Sequence, residues 1–312
     1  MIRAFRELWG ALLAFGAMLA LMLATTAGAG SGATAAEPVG EIWVVGTDGR
    51  GLKAVTSSVY NLDGPSSWSP DGRNIAFARW LDGSLDGIFV LAMSSAGERK
   101  WTIPVRKLHA DGDSPAYSPD GRRIAFSKTV GWLENARGGI YVMNADGRAA
   151  RRLTRGLYDD SPAWSPDGRR IAFTRGSLDN NADIYVVNAD GSSVRRLTRD
   201  PAADSAQPSW SPDGRRLVFV RYPSGSDRGV ICVLKLSSGG ARCTSRGGAG
   251  PDWSPDGRRI AFSRYPGASQ GIHVMNPDGS RLRRLTKPRG ELYDTSPAWS
   301  PDGRRIAFDR SD

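Results

Sequence analysis

The chain has 312 residues, with 42 Lys and Arg against 32 Asp and Glu, and it contains only two His and two Cys. A chain of this length suits one large all-β domain or two ordinary domains. The formal net charge of +10 favours an anionic partner, such as nucleic acid or an envelope polymer, unless the arginines have structural positions.

Residues 1–36 have the pattern of an export signal. Arg3 and Arg6 precede a 16-residue apolar run, Trp9 to Ala24, and Ala33-Thr34-Ala35 offers small residues for cleavage. An uncleaved anchor is the alternative, but this run is shorter than the about 20 residues that span a bilayer comfortably. We therefore predict an exported, periplasmic or extracellular protein that keeps no membrane span after cleavage and binds no nucleic acid.

The string SPAWSPDGRRIAF occurs twice, at residues 161–173 and 296–308. Four looser copies keep its aromatic position, which recurs at intervals of 49, 47, 46, 43 and 46 residues. The six aromatic residues are Trp68, Tyr117, Trp164, Trp210, Trp253 and Trp299. A fixed period of this size indicates a repeat architecture.

Each period predicts two β-hairpins. In the first, residues 161–165 and 169–174 flank a Pro-Asp-Gly turn, where proline presets φ and glycine takes the left-handed conformation. In the second, residues 184–188 and 194–198 flank Ala189-Asp190-Gly191. The first strand of the second hairpin is a continuous apolar run, which is typical of strands buried on both faces. Four short antiparallel strands per period predict the blade of a β-propeller.

The two ends of the repeat region complete each other. Residues 41–56 form a second hairpin without a first, whereas residues 296–310 form a first hairpin without a second. Together they make a sixth blade, which closes the ring without an open strand edge. The predicted fold is all-β, a six-bladed β-propeller of four-stranded antiparallel blades over residues 37–312, with the N- and C-terminal hairpins sharing the last blade.

The alternation of WSPDGRRIAF with IYVMNADGxxRRLT over residues 41–312 resembles the TolB-type (WD40-like) β-propeller repeat. The resemblance implies the six-bladed domain of the periplasmic protein TolB, and with it protein binding or scaffolding in the cell envelope. Related propellers accompany the catalytic domains of prolyl oligopeptidase-like and tricorn-like peptidases. We expect the propeller only, without the α/β domain of TolB or a peptidase domain, and a fold of this kind hosts many activities.

Few residues offer catalytic chemistry. Residues 267–271 match GxSxG, but they link two strands, whereas a nucleophile elbow joins a strand to a helix. His109 lies in a loop and His273 in a buried strand, far apart in the repeat, which disfavours a shared metal site or catalytic base. We predict no catalytic residue, no metal and no cofactor. The alternatives are a propeller-type hydrolase or polysaccharide lyase, which needs clustered His, Asp or Glu, and a lectin-like carbohydrate-binding module, which needs stacked aromatics.

Cys232 and Cys243 fall on the third and fourth strands of blade four. Counting back from the turn at Ser237 and Ser238 places them opposite each other. Cross-strand neighbours come within disulfide reach, and an exported protein meets oxidising conditions. We predict a disulfide rather than two buried thiols.

Every second strand ends in a base, on the face away from the Pro-Asp-Gly turns. Register counting predicts three cross-strand ion pairs: Asp63 with Arg79, Asp159 with Arg175, and Asp294 with Arg310. Lys128 and Arg221 have aspartates one position from the residue opposite, whereas Arg264 stands opposite Gly248 without an acid. On the other face, Arg-Arg pairs such as Arg169-Arg170 are interpreted as a solvated rim beside the turn aspartates.

Blades four and five depart from the repeat in the same way. Arg221-Tyr222-Pro223 and Arg264-Tyr265-Pro266 occupy matching positions, and arginine beside tyrosine is favoured at interface hot spots. The alternative is that two loops inherited the tripeptide by duplication and expose it without a role. We predict that Arg221, Tyr222, Arg264 and Tyr265 bind an acidic segment of an envelope or secreted protein, and that the propeller is a non-catalytic monomer.

Overall fold

The computed structural model describes residues 40–57, 61–94, 105–130, 137–176, 181–264 and 269–311. These residues form six four-stranded antiparallel sheets, the blades of a propeller. Blades one to three consist of strands β3 to β14: Asn61–Trp68, Asn74–Leu81, Ser84–Ala92, Arg106–Ala110; Asp113–Tyr117, Arg123–Val130, Arg137–Asn144, Arg151–Arg152; Tyr158–Trp164, Arg170–Gly176, Asp183–Asn188, Arg195–Arg196. Blades four and five consist of β15 to β22: Ala203–Trp210, Arg216–Pro223, Val230–Lys235, Ala241–Gly247; Ala249–Trp253, Ile260–Arg264, Gly271–Met275, Arg283–Arg284.

Blade six combines both ends of the repeat region, which confirms the predicted closure. It consists of β23 (Tyr293–Trp299), β24 (Arg305–Ser311), β1 (Glu41–Gly46) and β2 (Lys53–Ala54), in the order β2-β1-β24-β23. Strand β1 pairs with β24 along its whole length. The chain therefore closes the ring through main-chain hydrogen bonds between its first and last strands.

The strand order defines two faces and a channel. The first strands of neighbouring blades contact one another around the ring, so they line the central channel. The turn face carries the six Pro-Asp-Gly turns. The opposite side, the link face, carries the links from second to third strand and from one blade to the next. Among the described residues, no helix has the length and apolar character needed to cross a bilayer.

A serine completes each Pro-Asp-Gly turn. In blade three the Ser165 hydroxyl donates to Asp167 Oδ1 at 2.5 Å and accepts the Arg170 N–H at 2.9 Å, while Asp167 Oδ1 also accepts the Arg169 N–H. Gly168 has a φ of 67°, the left-handed conformation that this turn requires. The serine hydrogen bond is the main cause that lowers the pKa of Asp167. The repeated Ser-Pro-Asp-Gly string is thus explained by the turn, and sequence analysis missed the role of its serine.

The core lies between blades rather than within them. Within the described chain, buried apolar residues form one cluster at each of the six blade interfaces. Phe173 and Trp164 lie in the cluster between blades two and three. At the turn face the Arg170 guanidinium lies over the Trp210 ring of the next blade, 4.9 Å from its centroid. The interpretation of both arginines as a solvated rim therefore holds for the exposed Arg169 but not for Arg170, which packs between blades.

Candidate functional site

The link-face mouth of the channel is ringed by the bases that end the second strands. Three of them bind the acids that register counting placed opposite. Nε to Oδ1 distances are 2.6 Å in each pair: Arg79 to Asp63, Arg175 to Asp159, and Arg310 to Asp294. The blade-six pair is the most enclosed, because both side chains are at most 1% exposed. These three pairs have a structural explanation.

Hydroxyl groups from the outer hairpins orient two of these carboxylates. The Thr154 hydroxyl accepts the Ile140 N–H at 2.8 Å and donates to the Asp159 carboxylate. Thr286 repeats this arrangement, accepting the Ile272 N–H at 2.8 Å and donating to Asp294. The threonine of the Arg-Arg-Leu-Thr string therefore ties the fourth strand to the third strand and to the rim.

The three remaining rim bases have different surroundings. Lys128 Nζ lies 3.5 Å from Asp111. Arg221 is opposite Ser205, as register counting placed it, but its guanidinium binds Asp200 at 2.6 Å. Asp200 lies five residues before Ser205, in the segment that precedes β15, so register counting did not find it.

Arg264 differs from Arg79, Arg175 and Arg310 in two respects. Within the described part of the chain it has neither an ion pair nor a ring beneath it. Arg175, by contrast, lies 5.2 Å from the Phe173 centroid and 5.0 Å from the Tyr185 centroid. Blade five replaces that tyrosine with His273, which is buried beside Phe262. Burial lowers the pKa of His273 to about 4, and the charge of Arg264 acts in the same direction.

The structure describes only one of the two tyrosines that are predicted to bind the partner. Tyr222 is half-buried and packs against the apolar cluster between blades four and five, so part of its ring has a packing role. Tyr265 lies outside the described residues. The structure therefore places Arg221, Tyr222 and Arg264 on one face and leaves the contribution of Tyr265 as a prediction.

Three carboxylates, the channel acids, lie one step deeper than the rim: Asp113, Asp160 and Asp309. The first two follow the rim position on the first strands of blades two and three, and Asp309 lies opposite Thr295 in blade six. Burial, with a smaller contribution from the charges of Asp160 and Asp309, raises the pKa of Asp113 to about 7. Burial likewise raises the pKa of Asp309 to about 6. Sequence reasoning missed this cluster because its members come from three blades.

We expect Asp113→Asn to change the pH dependence of stability. A carboxyl whose folded pKa is above its unfolded value stabilises the fold while it is protonated, and this contribution is lost as pH rises from about 4 to above 7. The amide has no proton to lose, so the free energy of unfolding at pH 8 should rise by about 1–3 kcal/mol relative to the parent, with a gain at pH 5 of less than half that size. Urea denaturation at both pH values measures this. Asp111→Asn, at the exposed rim, is the control, and an equal pH slope in the parent and Asp113→Asn would contradict the cluster.

Cys232 and Cys243 form a disulfide between β17 and β18, and the two residues are directly opposite in the register. The bond joins the two strands of the outer hairpin of blade four, away from the channel.

Ser269, the centre of the GxSxG match, lies between the antiparallel strands β20 and β21, and residues 267 and 268 lie outside the described residues. His109 packs beside Phe126 in another blade. Within the described chain, no three His, Cys, Asp or Glu side chains are arranged to hold a metal.

The sequence matches the family model of the TolB beta propeller domain over residues 33–198, 158–250 and 206–312. No curated protein sequence matches the chain. Among solved structures, a TolB-like protein from Agrobacterium tumefaciens has a TM-score of 0.70 at 24% identity, covering 86% of this chain and 96% of that one. TolB from Acinetobacter baumannii has a TM-score of 0.61 at 24% identity, covering 86% of this chain and 60% of its own. An oligogalacturonate lyase in complex with manganese has a TM-score of 0.58 at 13% identity, covering 84% and 80%. These structural similarities concern the fold, which serves both binding proteins and enzymes.

Proposed function

Because this chain belongs to the TolB β-propeller domain family, we propose that it is an exported, non-catalytic propeller that binds another protein of the cell envelope. The signal-like residues 1–36 and the Cys232–Cys243 disulfide support export. TolB structures among its structural neighbours support a binding role rather than catalysis. In this proposal the protein is a monomer that binds its partner through the link face.

The observation that carries the proposal is the state of Arg264. Arg264 is a half-buried residue, and no acid or aromatic ring of the described residues engages its guanidinium. A desolvated arginine that keeps its fork of donors free binds a carboxylate more strongly than a fully solvated base does. The proposed ligand is therefore an acidic segment of the partner.

The distribution of charge around the channel indicates which blades the acidic segment contacts. At the level of the channel acids, blades four and five carry Ala206 and Ala249, whereas blades two, three and six carry the carboxylates. An acidic segment is repelled from the carboxylate side, and it is attracted to Arg264 and the neighbouring Arg221. We propose that it crosses blades four and five at the channel rim, with Tyr222 and Tyr265 beside it.

Replacing Tyr222, Arg264 and Tyr265 with alanine is expected to lower binding of an acidic probe by at least about tenfold, a loss of about 1.4 kcal/mol. The probe is a hexaglutamate peptide, titrated by calorimetry at low salt, because exposed charge interactions weaken as salt rises. The same variant should lose whichever envelope protein co-purifies with the parent. Since Tyr222 also packs against the core, Arg264→Glu provides a second variant that leaves this packing intact.

The matched control replaces three exposed turn-face bases, Arg169, Arg215 and Arg258, with alanine. It removes more positive charge than the link-face variant does, but it leaves the link-face residues of blades four and five unchanged. We expect it to keep peptide binding and partner retention. Full binding by Arg264→Glu together with loss in the control would move the site to the turn face and overturn the proposal.

A further inference from the structure

One packing rule recurs at the blade interfaces of the turn face and fails once. The arginine at or just before the start of the second strand of one blade places its guanidinium over the tryptophan ring of the next blade. Five interfaces follow this rule, with centroid distances between 4.6 and 5.1 Å: Arg123 over Trp164, Arg170 over Trp210, Arg216 over Trp253, Arg259 over Trp299, and Arg305 over Trp68. Between blades one and two the corresponding residues are Asn74 and Tyr117.

This substitution leaves a groove between blades one and two. Its volume is about 460 Å³, and its lining includes Asn74 and Asp71 from blade one and Tyr117 and Asp120 from blade two. Asparagine is too short to reach the position that a guanidinium occupies at the other interfaces. The aromatic ring that would receive a cation is therefore present, whereas none of the described residues stacks a cation on it; Arg106 reaches Tyr117 only through its charge.

The groove also keeps the acid that accompanies this cation at two of the other interfaces. Arg216 and Arg305 each approach Oδ2 of the turn aspartate of their own blade, at 3.6 and 3.4 Å. In blade one that aspartate is Asp71, whose Oδ1 binds the Ser69 hydroxyl and the Arg73 N–H. The charge of Asp71 also reaches the ring of Tyr117, whose pKa burial raises to about 12 with a further contribution from Asp71. Ring and carboxylate together reproduce the surroundings of a stacked guanidinium.

Arg106 is the one base among the groove residues, and it has another role. Its Nη1 donates to the Asp146 carbonyl at 3.2 Å, as Arg151 Nη1 donates to the Asp190 carbonyl at the next interface. It therefore joins the outer strand of blade one to the neighbouring turn. Its charge opposes that of Asp71 and Asp120, so the groove holds two carboxylates against one base.

We propose that the groove between blades one and two binds the guanidinium group of an arginine side chain supplied by another polypeptide. A planar guanidinium stacks on the Tyr117 ring and forks onto Asp71, whereas an ammonium is a compact and strongly hydrated charge that satisfies this geometry less well. This site lies on the turn face, so it is separate from the link-face surface of the proposed function. Its test stands whether or not an acidic segment binds there.

The test measures the binding of small probes to the protein of residues 37–312 by NMR or calorimetry. Acetyl-arginine amide is expected to bind with a Kd in the low millimolar range, about what one stacked and ion-paired group contributes. Citrulline amide has nearly the same shape without the charge, and it should bind at least about tenfold more weakly. The peptide Gly-Gly-Arg-Gly-Gly distinguishes the two sources of the group. Binding at least as tight as that of the amide supports a polypeptide ligand, whereas preference for free arginine overturns that assignment.

Two variants separate the groove from the rest of the surface. Asn74→Arg supplies the missing guanidinium from the chain itself, so it should abolish arginine binding and raise the melting temperature. Arg170→Asn in blade three removes the cation from the Trp210 interface, and it should create a second site of comparable affinity. Undiminished arginine binding by Asn74→Arg would overturn the proposal.

Residues 95–104 lie outside the described residues, and they include Arg99 and Lys100. Each probe is therefore also titrated into the Arg99→Ala, Lys100→Ala variant. Binding that appears or strengthens in this variant would show that the chain itself fills the groove, and it would overturn the assignment to another polypeptide. Absence of arginine binding in both the parent and this variant would overturn the proposal.

Discussion

Deletion of residues 41–56 is expected to abolish cooperative folding of the propeller. The deletion removes β1 and β2, and it exposes the edge of β24 along its whole length. It also removes Ile42, Trp43, Val44 and Val45, which are buried in the clusters on both sides of blade six. Burial of four such side chains contributes roughly 6–12 kcal/mol, which is comparable with the total stability of a typical domain. Circular dichroism, light scattering and thermal unfolding should show an aggregated or non-cooperative protein.

The matched control keeps residues 40–311, including both terminal hairpins, and moves the chain break. A permuted chain begins at residue 57 and carries residues 40–56 after Ser311 through a short linker. This connection is geometrically accessible, because the Gly40 N–H already donates to the Arg310 carbonyl at 2.7 Å. We expect the permuted chain to fold with a modestly lower melting temperature. A deletion variant that melts within a few degrees of the residue 37–312 protein would show that blade six does not depend on the N-terminal hairpin.

Asp294→Ala is expected to destabilise the protein by about 3–5 kcal/mol, because it leaves a buried guanidinium without its carboxylate. Arg310 Nε lies 2.6 Å from Asp294 Oδ1, and the guanidinium lies 4.5 Å from the Trp43 centroid. The Thr286 hydroxyl that donates to Asp294 also loses this acceptor. The free energy of unfolding from urea denaturation at pH 7 measures the effect.

Asp200→Ala removes a rim pair of similar distance but different burial. The Arg221 and Asp200 side chains are 31% and 33% exposed, so water screens the pair and replaces its hydrogen bonds. The expected cost is about 0–1 kcal/mol. Equal losses in Asp294→Ala and Asp200→Ala would show that burial does not control the strength of these rim pairs.

The sequence by itself determined the features that depend on short separations along the chain. The Pro-Asp-Gly turn holds its two strands in one register, so counting from it places Asp294 opposite Arg310. The same counting places Cys232 opposite Cys243, and the structure joins both pairs. The number of blades and the shared sixth blade follow from the period and from the two single hairpins. The alternation of side chains along a strand and the residue preferences of a turn depend only on neighbouring residues, so a repeat sequence predicts them.

Only the tertiary structure decided what happens between blades. Arg170 is adjacent to the exposed Arg169 in sequence, yet it packs on a ring 40 residues away in the chain. Asp113 and Asp309 affect each other although nearly 200 residues separate them. The groove at Asn74 exists because two substitutions, one in each of two blades, coincide at one interface. These features have no period or register that a sequence displays, because burial and electrostatic energy depend on distance in space, and closing the ring sets those distances.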